Sequence, residues 1–490
     1  MGLALGGLRR LASSELLDRY GLRERVEALV QSSTRNGFTA AVGAGRQFAK
    51  ASKAINGGKA ARQAPVEGGG KVLFDLTPDE EQQMLVEGFG DFAETHLRPA
   101  AREADDGCAT PDKLRAMATE MGAMVLGIPS DLGGVVDERS AVTSVLALEA
   151  MAAGDMGLAA GIMAPAAVAS ALSLWGDADQ QARFLPAFTE DNPPTAALAI
   201  SEPHPLFDPT VLRTTARREG DELVLDGVKA LVAHVDRCDL YLVAADLQGT
   251  GPALVLVEAG TPGLAVKAEP TMGVRATASG ELLLEGVRVP AANLLGDGAA
   301  EVYSELIART RIAWAALAVG TAQAVLDYVI PYVKERHAFG EPIANRQAVA
   351  FTVANIGVEL EGMRLATYRA ASLADQGKPF AREAAVAARL AEEKGMQIGS
   401  DGVQLLGGHG YVKEHPVERW YRDLRAAAVV DGMVLVSPGP RPHPTATTTP
   451  GSKGAHRDQP RSPQEVHPRH RPSKGRRRAR PAADQPAVRP

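Results

Sequence analysis

Arg336-His337-Ala338-Phe339-Gly340-Glu341-Pro342-Ile343, followed by Gln347, separates two long stretches of helical periodicity, about 301 to 335 and about 345 to 376. A third stretch runs from about 380 to 406. In each, apolar residues recur at the three-to-four spacing of an amphipathic helix. Long amphipathic helices joined by connections this short pack back on one another as a bundle. Everything else in the chain is ordered relative to that bundle.

Upstream, between about 196 and 300, the texture differs. Glu222 to Leu225, Leu240 to Ala245, Ala253 to Val257, Gly263 to Val266 and Glu281 to Leu284 are short apolar runs punctuated by Gly, Pro and Asp. That pattern predicts an antiparallel sheet domain or small barrel. Before it, helices are expected at about 111 to 122, 139 to 153 and 156 to 174. Thr77-Pro78-Asp79-Glu80 reads as a helix start, with Thr77 capping, Pro78 at the first helical position and Glu80 closing a capping box; that helix should run to Pro99. Residues 12 to 54 read as a further helix, set off by the glycine-rich break from Gly57 to Gly70. The expected class is therefore α+β multidomain. It comprises a helical N-terminal extension and linker (1–70), an N-terminal helical domain (71–195), a middle antiparallel β-domain (196–300), a C-terminal four-helix-bundle domain (301–436) and a tail (437–490).

Composition narrows the function class. Of 490 residues, 45% are apolar and 23% charged, as in a globular protein with a sizeable core. The net charge of -6 is uneven: Ser437 to Pro490 holds 12 basic and 3 acidic residues, about +9, leaving about -15 for the rest. A mildly acidic body argues against nucleic acid as partner. The tail, rich in Pro, Arg, His, Ser and Thr and containing Arg476-Arg477-Arg478, cannot bury enough apolar surface to order itself. Cys108 and Cys238 alone make neither a disulfide framework nor a zinc site, so no metal is expected, and a reducing, cytoplasmic compartment follows. The chain shows no run of about 18 apolar residues, so no transmembrane segment is expected.

The connection at 336–347 also carries a resemblance. Arg336, Phe339, Gly340, Pro342, Ile343 and Gln347 are spaced as in a signature of the acyl-CoA dehydrogenases, and Gln404-Leu405-Leu406-Gly407-Gly408-His409-Gly410-Tyr411 resembles that family's second signature. Pro416-Val417-Glu418-Arg419 and Arg422-Asp423-Leu424-Arg425 continue in family order. Upstream, Leu126-Gly127-Ile128-Pro129, Gly133-Gly134, Phe184-Leu185-Pro186, Ser201-Glu202-Pro203 and Gly227-Val228-Lys229 match as well. The resemblance covers about residues 75 to 436, and the ordered co-occurrence of these motifs makes it specific.

The resemblance implies an FAD flavoprotein of fatty acid β-oxidation, a homo-oligomer (dimer or tetramer) or a hetero-oligomer with a related subunit, acting on an acyl-CoA. An electron-transfer flavoprotein would take its electrons. By the same resemblance Arg336 would offer a planar guanidinium to the FAD diphosphate of a neighbouring subunit. Phe339 would pack near the adenine, and Gln347, Gln404, Gly407 and Gly408 would contact the adenosine and diphosphate. Read without the resemblance, Arg336 is a helix C-terminal charge, Phe339 a core aromatic, and Gly407-Gly408 a turn.

The reaction removes a proton from the carbon alpha to a thioester while hydride leaves the beta carbon for the flavin, giving a 2,3-enoyl-CoA. It needs a carboxylate base whose pKa is raised by a dry pocket. Counting from Arg422, the resemblance places that base at Asp431, with Gly432 and the Asp431 backbone N–H against the substrate carbonyl and Arg311 near the CoA cleft. The family's other base position is Thr310 here, which cannot act as a base. Asp is one methylene shorter than the family's usual Glu, and a displacement of about 1 Å can cost on the order of a hundredfold in rate. Nitroalkane oxidases of the same superfamily use an Asp there. The bland reading of Asp431-Gly432 is a turn.

Other flavin positions depart from the family. A tryptophan and a threonine after Gly227-Val228-Lys229 become Leu231 and Ala233, and flavin-contacting Thr and Gln past the base become Met433 and Leu435. Ser201 keeps a hydroxyl at its matching place. Ser437-Pro438-Gly439-Pro440 stops the helix that ends the family bundle. Beside the dehydrogenase, two alternatives follow: a non-catalytic partner subunit of a related dehydrogenase, and a flavin oxidase or hydroxylase on the same fold.

Overall fold

The computed structural model describes residues 78–134 and 140–437; the readings for residues 1–70, for Thr77 and for the tail beyond Ser437 lie outside them. The first helix, α1 (Glu80–Phe92), is capped by Asp79 rather than Thr77. Its carboxylate accepts from the Gln82 N–H at 2.8 Å while the Gln82 side chain accepts from the Asp79 N–H at 3.1 Å. Pro78 thus precedes the cap, and Gln82, not Glu80, closes the box. A charged cap is the better partner for the helix N-terminus. Nor does the helix end at Pro99. A π turn (Ala93–Leu97) leads into α2 (Arg98–Gly107), where Pro99 falls in the first turn and its missing N–H is tolerated.

Three helices follow, α3 (Asp112–Glu120), α4 (Ala141–Ala152) and α5 (Met156–Trp175), then α6 (Ala178–Phe188). Residues Met156 to Leu174 of α5 are all buried, whichever way they face. A helix apolar all round belongs in a core. Against the sequence expectation, α5 and α7 (Ala300–Glu335) are long and apolar enough to cross a membrane by composition alone. Their most apolar windows are 100% and 78% buried inside the protein, so both serve as core helices.

The middle region is a sheet of eight strands: β1 (Ala196–Ala199), β2 (Thr215–Glu219), β3 (Glu222–Val232), β4 (Leu240–Leu247), β5 (Gly251–Glu258), β6 (Leu264–Ala268), β7 (Gly280–Pro290) and β8 (Leu294–Leu295). Their order is β6-β7-β3-β2-β4-β5-β8, with β1 added beside β4. Most pairs are antiparallel, but β1 and β2 both run parallel to β4. The strand β3 breaks register with β7 twice, between Leu225 and Gly227 and between Lys229 and Val232. Such bulges re-aim side chains at a sheet's rim.

After α7, a two-rung hairpin of β9 (His337–Ala338) and β10 (Glu341–Pro342) turns the chain into α8 (Gln347–Asp375). The helix expected at 380–406 is three pieces: α9 (Ala381–Leu390), a second π turn (Ala391–Gly395) and α10 (Met396–Leu406), before α11 (Val417–Leu424). Charged groups lock the layers together. Asp375 at the end of α8 accepts from Ala141 N, Val142 N and Ser140 Oγ, at 2.6, 3.1 and 2.7 Å, and so caps α4. Arg422 forks onto Asp105 at 2.9 and 2.7 Å, Arg419 meets Asp155 at 3.0 Å, and Asp423 accepts from the Val274 N–H at 2.6 Å. Hydrogen bonds to charged partners contribute about 1.5–3 kcal/mol each.

Candidate active site

The segment after α11 leaves a short 3-10 turn (Arg425–Ala428) and continues as irregular backbone through Asp431. Its backbone is pinned on both sides. The Ser201 hydroxyl donates to the Asp431 carbonyl at 3.1 Å and accepts from the Asp431 N–H at 3.2 Å; Trp314 Nε1 donates to the Gly432 carbonyl at 2.8 Å. At Gly432 the φ is +85°, and an added Cβ would stand 2.6 Å from Ile200 Cγ1, so only glycine fits. Ser201 is itself held in place. Its neighbour Glu202 accepts from Lys229 Nζ at 2.8 Å and from the N–H groups of Arg213 and Thr214 at 2.8 and 2.9 Å. Burial alone would raise the Glu202 carboxyl, but Lys229 and these donors hold it at about 2. Burial brings Lys229 down to about 8, with Glu202 opposing.

The Asp431 side chain, by contrast, makes no hydrogen bond or ion pair among the described residues. It lines a cavity of about 200 Å³ with Arg311, Thr310, Trp314, Phe207 and Glu392, closed by small residues such as Ala388, Ala391 and Ala427. Burial raises its pKa; the Arg311 guanidinium opposes this, while Glu392 and Asp208 add to it. A carboxyl that is mostly buried, unpaired and raised has the attributes of a general base. Its backbone N–H is not free for a substrate carbonyl, contrary to what the resemblance implied. Ser201 Oγ occupies it.

Arg311 lies on α7 and Arg336 is the residue that caps its C-terminus, 25 residues on and so about 38 Å away along the helix axis. Around Arg336, the Tyr332 hydroxyl reaches the Leu406 carbonyl at 3.4 Å and His409 Nδ1 at 2.9 Å. That contact brings the two signature loops to one end of the bundle. Arg336, Phe339, Gln347, Gln404, Gly407 and Gly408 are all exposed there. Phe339 is 95% exposed with φ +56°, so it is no core aromatic; Arg346 lies over its ring at 5.5 Å. Gly407 adopts φ +59°, and a Cβ at either Gly407 or Gly408 would meet nothing in this chain, leaving the backbone open to an approaching group.

At the positions expected near a flavin ring the packing is tighter. Ala233 is 0% and Met433 1% exposed, and Leu435 is also buried. Leu231, half-buried, sits in the second β3 bulge with φ +56°, which is costly for a branched residue. Residues 434–437 form no helix. The Ser437 N–H donates to Ser144 Oγ at 3.2 Å and its carbonyl accepts from Arg309 at 3.0 Å. The residues present thus suit the diphosphate and adenosine of FAD, with an exposed cation, amides and bare backbone. Among the described residues no three His, Cys, Asp or Glu side chains converge on a metal position.

Sequence reasoning missed Trp314, Phe207 and Glu392. Trp314 lies three residues after Arg311, on the same helix face, a signal that could have found it. Glu392 gave no such signal, because the π turn that aims it is not visible in spacing.

Three sequence families match the chain: "Acyl-CoA dehydrogenase, N-terminal domain" over residues 79–192, "middle domain" over 197–287 and "C-terminal domain" over 296–434. The rat mitochondrial short-chain specific acyl-CoA dehydrogenase is 34% identical over 362 residues, 72% of this chain and 87% of that protein. The butyryl-CoA dehydrogenase structure from Megasphaera elsdenii superposes with a TM-score of 0.68 at 29% identity, covering 73% of this chain and 95% of its own. A structure described as the electron transferring flavoprotein of Acidaminococcus fermentans gives 0.67 at 30% identity, with the same coverage.

Proposed function

The chain belongs to the acyl-CoA dehydrogenase family, FAD-dependent oxidoreductases acting on CH–CH donors, and on that premise we propose that it oxidises a short acyl-CoA to the 2,3-enoyl-CoA with Asp431 as the base. The observation that carries this reading is the unpaired, raised Asp431 carboxyl in its cavity beside Arg311. Asp431 takes the alpha proton. Arg311 keeps enough positive potential nearby for the carboxylate to form. Ser201 and Trp314 fix the base-bearing turn, so the shorter Asp reaches from a rigid backbone. FAD, when bound, supplies the acceptor for the beta hydride. Arg336, Phe339, Gln347, Gln404, Gly407 and Gly408 would hold its nucleotide end. Arg336 stands just past the end of α7, about 38 Å from Arg311 along its axis, and the others gather near it, so they would complete the site of another copy in a homo-oligomer, dimer or tetramer. The short-chain and butyryl relatives support a short acyl group, as does a cavity below the roughly 300–1,000 Å³ of drug-sized sites. An electron-transfer flavoprotein would be the acceptor, and two free thiols suit the cytoplasm.

The test is the visible spectrum of the purified chain during anaerobic titration with acyl-CoAs of graded length. Bleaching by a four-carbon substrate, weakening as the chain lengthens, is expected. A fully flavin-loaded protein that no acyl-CoA bleaches would overturn the reading. A second reading, that the chain is the non-catalytic partner of a related dehydrogenase, is favoured by the burial of Ala233 and Met433. Sub-stoichiometric flavin with a co-purifying homologous chain would select it; one flavin per chain would remove it.

A further inference from the structure

A base that takes a proton each turnover must also lose it. The Asp431 cavity has few groups able to receive one. Among its lining residues only Asp431, Arg311 and Glu392 are ionisable, and a guanidinium that stays charged cannot accept a proton. The Thr310 hydroxyl is spent on the Ile307 carbonyl at 2.9 Å. Beyond the lining, Tyr303 and Asp208 also face Asp431 electrostatically. The Tyr303 hydroxyl donates to the Pro209 carbonyl at 2.6 Å, and Asp208 is tied to Thr210 through its N–H at 2.9 Å and its hydroxyl at 2.7 Å.

Glu392 is different. It projects from the π turn Ala391–Gly395 into the same cavity, yet its side chain is 32% exposed, and among the described residues only Arg389 bonds to it, at 3.2 Å. One end of its environment is therefore the cavity and the other is solvent. Single π turns within helices often mark functional positions. A cavity of about 200 Å³ holds several waters at roughly 30 Å³ each.

We propose that Glu392 relays the proton taken by Asp431 to solvent through cavity water. The inference rests on Asp431 being the base. The proton leaves the alpha carbon for the Asp431 carboxylate, passes to the Glu392 carboxylate, and is released to bulk water. No electrons move in these steps, and both carboxylates are regenerated.

The experiment uses the full-length, flavin-loaded chain and acetyl-CoA, which has alpha hydrogens and no beta carbon, so exchange proceeds without hydride transfer. Alpha-hydrogen exchange in D₂O is followed by NMR across pH 6–9. Glu392→Gln keeps an acceptor for Arg389 and the side-chain volume, and should slow exchange about tenfold, a small part of the roughly 10²–10⁴ a general base contributes. Added acetate or imidazole should restore the rate, and Glu392→Asp should retain most of it, neither of which a purely structural role would produce. Wild-type exchange in Glu392→Gln, alongside its loss in Asp431→Asn, would overturn the relay and leave the base intact. Wild-type exchange in Asp431→Asn would remove the base and the relay together.

Discussion

At one end of α7, Arg336 stands in solvent with Phe339 and Gln347; at the other, Arg311 faces a mostly buried Asp431. Both ends hold residues proposed above to serve one cofactor and its substrate, yet they are built on opposite principles. At the exposed end the polar groups are unspent: a cation, two amides and two glycines whose added Cβ would touch nothing. At the buried end almost every polar group is already satisfied inside the chain, from Lys229–Glu202 through Ser201 to the Asp431 backbone. The Asp431 carboxyl makes no hydrogen bond among the described residues. The exposed end is made to be completed by something else, whereas the buried end is self-supporting, so substitutions at the two should separate cleanly into binding and chemistry.

The largest effect belongs to the buried end. Asp431→Asn keeps the shape and the backbone bonds to Ser201, and removes only the base. Alpha-proton removal, measured as anaerobic flavin reduction, should fall by about 10²–10⁴. The melting temperature should be unchanged or slightly raised, since a buried, unpaired carboxyl is costly. A rate loss under threefold would break the comparison at its strongest point. Next is the exposed end. Arg336→Ala should weaken FAD binding about 10- to 100-fold, equivalent to about 1.5–3 kcal/mol for a lost charged hydrogen bond. Because Arg336 is exposed, flavin-free stability should move by no more than about 0.5 kcal/mol. Fluorescence recovery of released FAD measures the first quantity and urea unfolding the second.

Trp314→Phe sharpens the contrast. It removes the 2.8 Å bond to the Gly432 carbonyl, which keeps its 2.9 Å bond from the Val434 N–H. The expected cost is about 0.5–1.5 kcal/mol of unfolding free energy. Flavin reduction should slow as the base-bearing turn loosens, with little change in the affinity for FAD. Equal losses in affinity and rate would mean that the two ends are not independent.

The exposed end was the more legible in sequence, for a physical reason. Nothing in the fold of one chain demands an arginine, a phenylalanine and a glycine at 336, 339 and 408, so their spacing stands out against a background free of other constraints. The helix-strand-helix order was legible for the opposite reason, because core packing fixes a recurring buried face along α7 and α8. What resisted reading was geometry made by irregular backbone. The π turns at Ala93–Leu97 and Ala391–Gly395 carry a helix past Pro99 and aim Glu392 into the cavity, and neither has a sequence mark. Asp79 takes the cap because it offers a carboxylate with Gln82 three residues on to close the box. The parallel placement of β1 and β2 beside β4 depends on long-range pairing that short apolar runs do not encode.

The smallest effect concerns how the buried end is tied to the sheet. Asp423 lies in the Arg422-Asp423-Leu424-Arg425 signature, fully buried, and accepts from the Val274 N–H at 2.6 Å. Burial, then the nearby Asp155, pushes its carboxyl up to about 8, against the pull of Val274, Arg422 and Arg419. In the unfolded chain an aspartate titrates near 3.9. Between about pH 4 and pH 8 the folded state therefore holds a proton that the unfolded state has lost. Stability from this group is fully present below the unfolded value and declines as pH rises through that window. Asp423→Asn keeps the oxygen that accepts from Val274 and removes the titration. The slope of unfolding free energy against pH should flatten, by at most about 1.4 kcal/mol per pH unit. If the slope is unaltered, Asp423 is ionised in the fold and Arg419 is shared between two carboxylates rather than given to Asp155 alone.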